Sequence, residues 1–122
     1  RNLSLTAPYE QDGGFGIGIS AEADTLVSDN VIENAPLWGM RLGWGQYLRN
    51  VVATGNIVRQ AGIGCVVSVA DGAGSAVIAG NLFQEMQQAA IMGFRWDKPA
   101  SGDLTKGSSQ FPQLTIENNR SA

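Results

Sequence analysis

The chain has 122 residues, of which 43% are hydrophobic and 16% are charged, so it is one globular domain rather than a disordered segment. It has no histidine, which excludes Ser-His-Asp and Cys-His catalysis and most catalytic zinc sites, and its one cysteine excludes an internal disulfide. A net charge of −3 disfavours a nucleic-acid partner, and no apolar run is long enough to span a bilayer. We therefore predict no nucleic-acid partner, no membrane span, no metal and no cofactor.

A short β-prone run, followed by a turn pair that ends in asparagine, occurs four times along the chain. The clearest copy is Val-Val-Ala-Thr-Gly-Asn-Ile-Val at residues 51–58. The four asparagines are Asn30, Asn56, Asn81 and Asn119, with separations of 26 (30 to 56), 25 (56 to 81) and 38 residues (81 to 119). A repeat of this period is typical of a solenoid, in which each coil buries its apolar face against the next.

A second β-prone run occurs in each repeat, at residues 15–19, 38–42, 63–67 and 89–93. Residues in these runs alternate with a period of two, which is the periodicity of a strand, and no helical pattern lies between them. We therefore predict an all-β fold, a right-handed parallel β-helix in which a single chain winds through about four to five coils. On this interpretation residues 1–122 form one β-helix domain, the C-terminal segment of a longer solenoid.

The alternation also predicts which side chains point into the solenoid. The inward set comprises Leu3, Val27, Val51, Ala53, Ala76, Ile78, Leu114, Ile116, Ile32, Val58, Phe83, Phe15, Ile17, Ile19, Trp38, Met40, Leu42, Ile63, Cys65, Val67, Ala89 and Ile91. The predicted outward positions of the second run are Gly16, Gly39, Gly64, Ala90 and Val66. Glycine within a strand often marks a bend, which is the interpretation we favour for this bare strip.

The four asparagines occupy equivalent corners of successive coils. Asparagine tolerates a left-handed φ and bonds to neighbouring backbone. Stacked coil upon coil, its amide can also form a ladder, as in other stacked parallel strands. We therefore predict that Asn30, Asn56, Asn81 and Asn119 form a structural ladder and have no catalytic role.

Three segments interrupt the coils, at residues 6–14, 43–50 and 94–113. Loops on a rigid solenoid commonly carry function. The candidate ligand-binding residues in or beside these loops are Arg41, Trp44, Tyr47, Arg95 and Trp96. Aromatic rings can stack on sugars or pack between loops, and the sequence leaves both uses open. Regular coil spacing allows these residues to share one side, so we predict weak binding of a poly- or oligosaccharide there.

Two carboxylates in loops of adjacent coils, Asp71 and Asp97, could meet as the acid pair of a glycoside hydrolase. A lyase would instead use a basic residue such as Arg95 beside acidic groups. Solvated surface charge is the alternative interpretation of these residues. Further carboxylate candidates are Glu10, Asp12 and Asp103.

Several short motifs in order resemble the C-terminal part of the Tat-translocated repetitive protein family of alphaproteobacteria. They lie at residues 9–12, 14–19, 22–25, 43–49, 61–64, 72–74, 78–82, 102–104 and 111–112. The resemblance implies a pectate-lyase-like right-handed β-helix, export by the twin-arginine route and a periplasmic or extracellular location. The chain lacks the twin-arginine leader and the earlier coils of that family, so we expect export of a longer parent protein.

Our functional expectation is a carbohydrate-binding or structural module of an exported bacterial protein. The alternative is a polysaccharide lyase or glycoside hydrolase whose catalytic residues lie partly in missing coils. A solenoid that associates with itself, end to end or side by side, is a third interpretation, because stacked coils leave exposed ends. Fold alone does not decide among these functions.

Overall fold

The computed structural model describes residues 17–107 and 109–121 with their side chains, and residues 2–4 by their backbone. The predictions for loop 6–14 and for the side chains of Leu3, Phe15 and Gly16 lie outside the described residues. The carboxylate candidates Glu10 and Asp12 also lie outside them.

The described residues form strands that belong to three sheets, which we number I to III. Sheet I contains β3 (Ala23–Ser28), β6 (Arg49–Thr54), β9 (Ala76–Ala79) and β13 (Leu114–Glu117). Sheet II contains β1 (Asn2–Ser4), β4 (Val31–Glu33), β7 (Ile57–Arg59), β10 (Leu82–Gln84) and β14 (Arg120–Ser121). Sheet III contains β2 (Ile17–Ala21), β5 (Trp38–Leu42), β8 (Ile63–Ser68), β11 (Ala89–Arg95) and β12 (Lys98–Asp103). Two short 3₁₀ helices cover Gly45–Tyr47 and Leu104–Lys106.

From β3 to β11 the chain visits sheets I, II and III in a repeating cycle, so that equivalent strands stack one coil apart. In sheet I, for example, Thr25 pairs with Val51, Val51 with Ala76, and Ala76 with Leu114. All pairings between coils are parallel. The all-β prediction is therefore confirmed, and the parallel sheets are consistent with a β-helix-like fold.

The interior is a continuous apolar core made by stacked side chains of the three sheets. Sheet II contributes Ile32, Val58 and Phe83, each fully buried. Other predicted inward residues that lie in this core are Val27, Val51, Ala53, Ala76, Ile78, Leu114, Met40, Leu42, Cys65, Val67 and Ile91. Ile19 and Ile116 are half-buried and pack against it. Parallel stacking places one apolar side chain above the next, so that each coil covers the core of its neighbour.

The prediction that Gly39, Gly64 and Ala90 point outward is wrong. A Cβ atom on Gly39 would lie 2.5 Å from Cγ1 of the buried Val58, and one on Gly64 would collide with the ring of Phe83. Ala90 is 1% exposed and belongs to the core. The pairing of sheet III skips this position, as expected where strands bend. The small residues leave room for the large side chains of sheet II.

The row Ile17, Trp38, Ile63 and Ala89 was also predicted to point inward, and it lies outside the main core, although Ile17, Ile63 and Ala89 are buried. None of these residues belongs to the main core, and Ile17 and Trp38 line an open groove. Ile63 lies in a second apolar cluster with Val66 and Phe94, against which Trp38 and Met92 pack. Val66 points outward as predicted, yet it is only 3% exposed because this outer cluster covers it.

The segment 94–113 is more regular than the predicted loop. Strands β11 and β12 form an antiparallel hairpin, in which Arg95 pairs with Lys98 across a turn at Trp96 and Asp97. Trp96 has a φ of 58°, which is unusual for a bulky residue and suits a two-residue hairpin turn. Strand β12 forms the edge of sheet III beyond β11, where a further parallel strand would otherwise add. The sequence shows no Gly or Asn at this turn, which is why the hairpin was missed.

Candidate functional site

Each coil turns at three corners. The corner between sheets II and III contains three or four residues, at 34–37, 60–62 and 85–88, and the other two corners differ strongly from each other. The asparagine corner joins sheet I to sheet II and contains two residues in every described coil, at 29–30, 55–56, 80–81 and 118–119. The loop corner joins sheet III to sheet I and differs in every coil: it consists of Glu22, 43–48, 69–75 and 96–113 in turn. The candidate ligand-binding residues lie in or next to the loop corner.

The four asparagines are joined by consecutive hydrogen bonds. The backbone N–H and Nδ2 of Asn30 donate to Oδ1 of Asn56, over 3.1 and 3.2 Å. The same two groups of Asn56 donate to Oδ1 of Asn81 over 2.9 and 3.0 Å, and those of Asn81 donate to Oδ1 of Asn119 over 3.0 Å each. Asn56 and Asn81 are 1% and 2% exposed, so these bonds satisfy buried polar groups.

The second, third and fourth asparagines also donate a side-chain hydrogen bond to a backbone carbonyl. Nδ2 of Asn56, Asn81 and Asn119 donates to the carbonyl oxygens of Val27, Ala53 and Ile78, over 3.0, 3.1 and 2.8 Å. The left-handed backbone expected of the asparagines lies one residue earlier, at Asp29, Gly55, Gly80 and Asn118, where φ is 56° to 70°. In each turn, the first residue has the left-handed backbone that reverses the chain. The asparagine amide then forms hydrogen bonds with the neighbouring coils.

At the loop corner, register aligns the ends of three strands, because Leu42 pairs with Val67 and Val67 with Gly93. The loops that follow therefore leave sheet III along one edge. Hydrogen bonds tie them together: Ser68 Oγ donates to the carbonyl of Gly45 over 2.5 Å, and Gly74 N–H donates to the carbonyl of Leu48 over 2.8 Å.

Three aromatic side chains meet at this edge. The ring centroid of Trp96 lies 5.7 Å from that of Trp44 and 6.3 Å from that of Tyr47, and both pairs are nearly perpendicular, at 83°. A Cβ atom on Gly45 would overlap the Trp96 ring, so this ring lies directly on the Gly45 backbone. Tyr47 remains 54% and Trp96 44% exposed. The rings thus pack between loops, one of the two predicted uses, and still present exposed surface.

Arg41 extends the aromatic cluster with a cation. Its Cζ lies 5.4 Å from the ring centroid of Trp44, a cation–π contact, and its Nε donates to Oγ of Ser20 over 3.0 Å. Neither of the two ion pairs in the described part of the chain involves Arg41. Arg95 is exposed at the end of β11, beside its strand partner Lys98. The guanidinium of Arg41 therefore keeps donor groups that a ligand can use.

The predicted carboxylate pair is not brought together by any contact. Asp71 and Asp97 are both exposed, in loop 69–75 and in the hairpin turn. They share the loop corner, but among the described residues no hydrogen bond or ion pair joins them to each other or to Arg95. Across residues 17–107 and 109–121, no group of three or more His, Cys, Asp or Glu side chains is placed to hold a metal ion.

Asp103, another carboxylate candidate, has a structural position. Its Oδ1 accepts from the backbone N–H of Thr105 over 3.0 Å and from the Thr105 hydroxyl over 2.7 Å, and its Oδ2 accepts from Ala90 N–H over 3.1 Å. Partial burial by itself raises the pKa of Asp103, but these hydrogen bonds outweigh it and hold the pKa below its ordinary value. The carboxylate is therefore a negatively charged cap on the second 3₁₀ helix, tied back to β11.

Cys65 is fully buried in the core, and burial raises the pKa of its thiol. A buried thiol without a cation beside it is a poor nucleophile, so its role is packing. No helix among the described residues has the length and apolarity needed to cross a membrane.

Two shallow open grooves flank the loop 43–48. One has a volume of about 400 Å³ and is lined by Ile17, Glu22, Leu37, Trp38, Arg41 and Trp44. The other has a volume of about 440 Å³ and is lined by Glu22, Ala23, Gln46, Tyr47, Leu48, Arg49, Gly72 and Gly74. Sequence reasoning missed Glu22 and Trp38 as groove residues. The glycine after Trp38 was the available signal, because a bend at Gly39 turns the preceding side chain out of the core.

Comparison with known proteins identifies no relative: no family model, no curated protein and no solved structure matches this chain.

Proposed function

We propose that this chain is a right-handed parallel β-helix segment of an exported bacterial protein and that it acts as a carbohydrate-binding module. The cyclic use of three parallel sheets supports the β-helix. The order of sequence motifs that resemble the Tat-translocated repetitive family supports export, and with it a periplasmic or extracellular location. A structural module with the same fold is the coarser form of this proposal.

The observation that carries the binding proposal is the partly exposed cluster of Trp44, Tyr47 and Trp96 with Arg41 beside it. Aromatic side chains offer an apolar face on which the C–H face of a pyranose ring can stack. Arg41 has donors in fixed geometry for the hydroxyl groups around that ring. A sugar chain presents both kinds of surface at once, so it suits this mixture of rings and cation.

The affinity should be modest. Both grooves are open to solvent, so a ligand keeps much of its surface in water and loses conformational freedom on binding. We expect a dissociation constant on the order of 1 mM or somewhat below, which corresponds to about 4 kcal/mol of binding free energy. Weak sites of this kind gain strength when a longer protein carries several of them.

The test is a titration of the purified chain with a neutral glucan hexasaccharide and a galacturonic acid hexasaccharide. The three tryptophans, Trp38, Trp44 and Trp96, all lie at or beside the cluster, so their fluorescence reports binding in the wild type. Calorimetry measures the affinity of each variant for the two sugars. Trp44→Ala together with Trp96→Ala should abolish binding, and Leu26→Ala, which truncates an exposed side chain of sheet I, should leave it unchanged.

Absence of any signal up to the solubility limit of both sugars would contradict the binding proposal and leave the structural module. Retained binding in the double variant would also contradict it. Product formation from either sugar would instead support the lyase or hydrolase alternative, for which Asp71, Asp97 and Arg95 are the first residues to replace. Light scattering on the same sample tests the proposed self-association.

A further inference from the structure

The groove on the outer face of sheet III extends the aromatic cluster beyond the loops. It places Trp38, from the start of β5, in the same depression as Trp44, from the loop that follows β5. Trp38 is half-buried and packs edge-on against Phe94, with ring centroids 5.2 Å apart and an interplanar angle of 65°. Two indole rings thus line one groove, and one of them is held by a buried neighbour.

Two side chains of opposite charge line the same groove. Arg41 leans on Trp44, and Glu22 is the single residue that joins β2 to β3. Neither Glu22 nor Arg41 belongs to an ion pair within the described residues. Together they supply carboxylate acceptors and guanidinium donors at no net charge, a combination that can bind sugar hydroxyls as both donor and acceptor.

We infer that the ligand is a neutral oligosaccharide held in this groove by Trp38 and Trp44, with Glu22 and Arg41 bonded to its hydroxyls. The inference rests on the proposed carbohydrate-binding function and names its ligand class. The carboxylate of a uronic acid would be attracted to Arg41, but it would also lie in the same groove as Glu22, on a chain of net charge −3. Repulsion between like charges and the cost of desolvating Glu22 both oppose that complex.

Trp96 has a supporting part in this arrangement. One face of its ring is covered by the Gly45 backbone, and the ring is nearly perpendicular to the rings of Trp44 and Tyr47. It does not line the groove that holds Trp38 and Glu22. Its packing therefore orients the loop that carries Trp44, and the sugar rings lie on Trp38 and Trp44.

The experiment measures both hexasaccharides by calorimetry against the wild type and Glu22→Gln. The wild type should bind the neutral glucan at least about tenfold more tightly than the galacturonic acid oligomer. Glu22→Gln removes a charged acceptor and a repulsive charge together. The substitution should lower the affinity for the neutral sugar about fivefold to tenfold and raise the affinity for the acidic sugar. Glu117→Gln, which removes an exposed carboxylate of sheet I, is the control and should change neither affinity by more than about twofold.

Trp38→Ala should lower the affinity for the neutral sugar about tenfold. Trp38→Phe should keep most of the wild-type affinity, because the ring rather than the indole N–H is needed. The Phe variant also keeps packing against Phe94, so a folding defect and a binding defect are separable. Tighter binding of the acidic sugar by the wild type would overturn the inference, as would unchanged affinities in Glu22→Gln. If binding depended on Trp44 but not on Trp38 or Glu22, the proposed function would stand and this inference would fall. Failure of the wild type to bind either sugar would remove both.

Discussion

The asparagine corner and the loop corner recur in the same coils, but one has constant length and the other does not. Between sheets I and II the chain always turns in two residues, around the column that runs from Asn30 to Asn119. Between sheets III and I the connection grows from the single Glu22 to the segment 96–113. The stacked coils therefore stay in register even though the loop corner varies in length, because the parallel pairing of the three sheets and the bonded asparagine corner are kept.

The difference follows from where the polar groups lie. At the asparagine corner the amides of Asn56 and Asn81 are buried, so each must find partners at a set distance in the neighbouring coils. At the loop corner, side chains such as Tyr47, Asp71 and Trp96 are exposed, so polar groups there can form hydrogen bonds with solvent instead of with the protein. Sequence can vary there without loss of the core, which is why a binding site can develop at that edge.

The largest effect should come from lengthening the two corners by the same amount. Two glycines inserted between Gly55 and Asn56 displace the amide from its partners in both neighbouring coils, so we expect a loss above about 3 kcal/mol and failure of much of the protein to fold. The same insertion between Ser109 and Gln110 should cost below about 1 kcal/mol, since loop closure changes slowly with length. Chemical denaturation followed by circular dichroism measures both. Equal losses would show that the corners do not differ.

A smaller effect is expected from removing one amide of the column. Asn56→Ala leaves the N–H of Asn30, the carbonyl of Val27 and the Asn81 amide with lost partners, so the free energy of unfolding should fall by about 1–3 kcal/mol. Asn30→Ala removes a half-buried amide at the end of the column and should cost less. Thermal unfolding of Asn56→Ala that matched the wild type would mean that the column carries no stability.

The smallest effect concerns a carboxylate on the loop-corner side. Asp103→Asn should lower the free energy of unfolding by about 1 kcal/mol near neutral pH, because hydrogen bonds to a charged acceptor are replaced by weaker ones. The folded-state pKa of Asp103 lies below the ordinary value of 3.8, so its contribution is present above that pH and is lost as the pH falls through the folded pKa.

The difference between the wild type and Asp103→Asn should therefore shrink as acid denaturation proceeds below about pH 4. Asp97→Asn, at an exposed turn position with no hydrogen bond to the backbone of β11 among the described residues, is the matched control and should change the free energy of unfolding little near neutral pH. A constant difference across the acid range would assign the effect to packing rather than to the charge of Asp103.

Periodicity alone was sufficient for most of the core and insufficient for the bend. Ile32, Val58 and Phe83 follow the asparagines at one spacing, and each is fully buried. Strict alternation failed at Gly39 and Gly64, because a strand that bends there puts two consecutive positions on one side. The facing side chains of Val58 and Phe83 require small residues at this position, a constraint between distant parts of the chain.

The candidate site was predictable in part for a similar reason. Trp44, Tyr47 and Trp96 lie in interruptions of the repeat, so the sequence identified them, and the register of sheet III brings them into contact. Asp71 and Asp97 were named on the same grounds, but no contact joins them among the described residues. Sequence reasoning missed Glu22 and Trp38 as groove residues, and for Trp38 the only signal was the glycine that follows it.

By itself the sequence determined the all-β class, the parallel coils, the asparagine corner and most of the interior, because a repeat states the same local preference in every coil. The tertiary structure alone decided the hairpin at Trp96, the inward glycines and the groove shared by Glu22, Trp38, Arg41 and Trp44. Those features depend on which side chains of separate coils occupy the same space, and packing between distant residues leaves no period in the sequence to read.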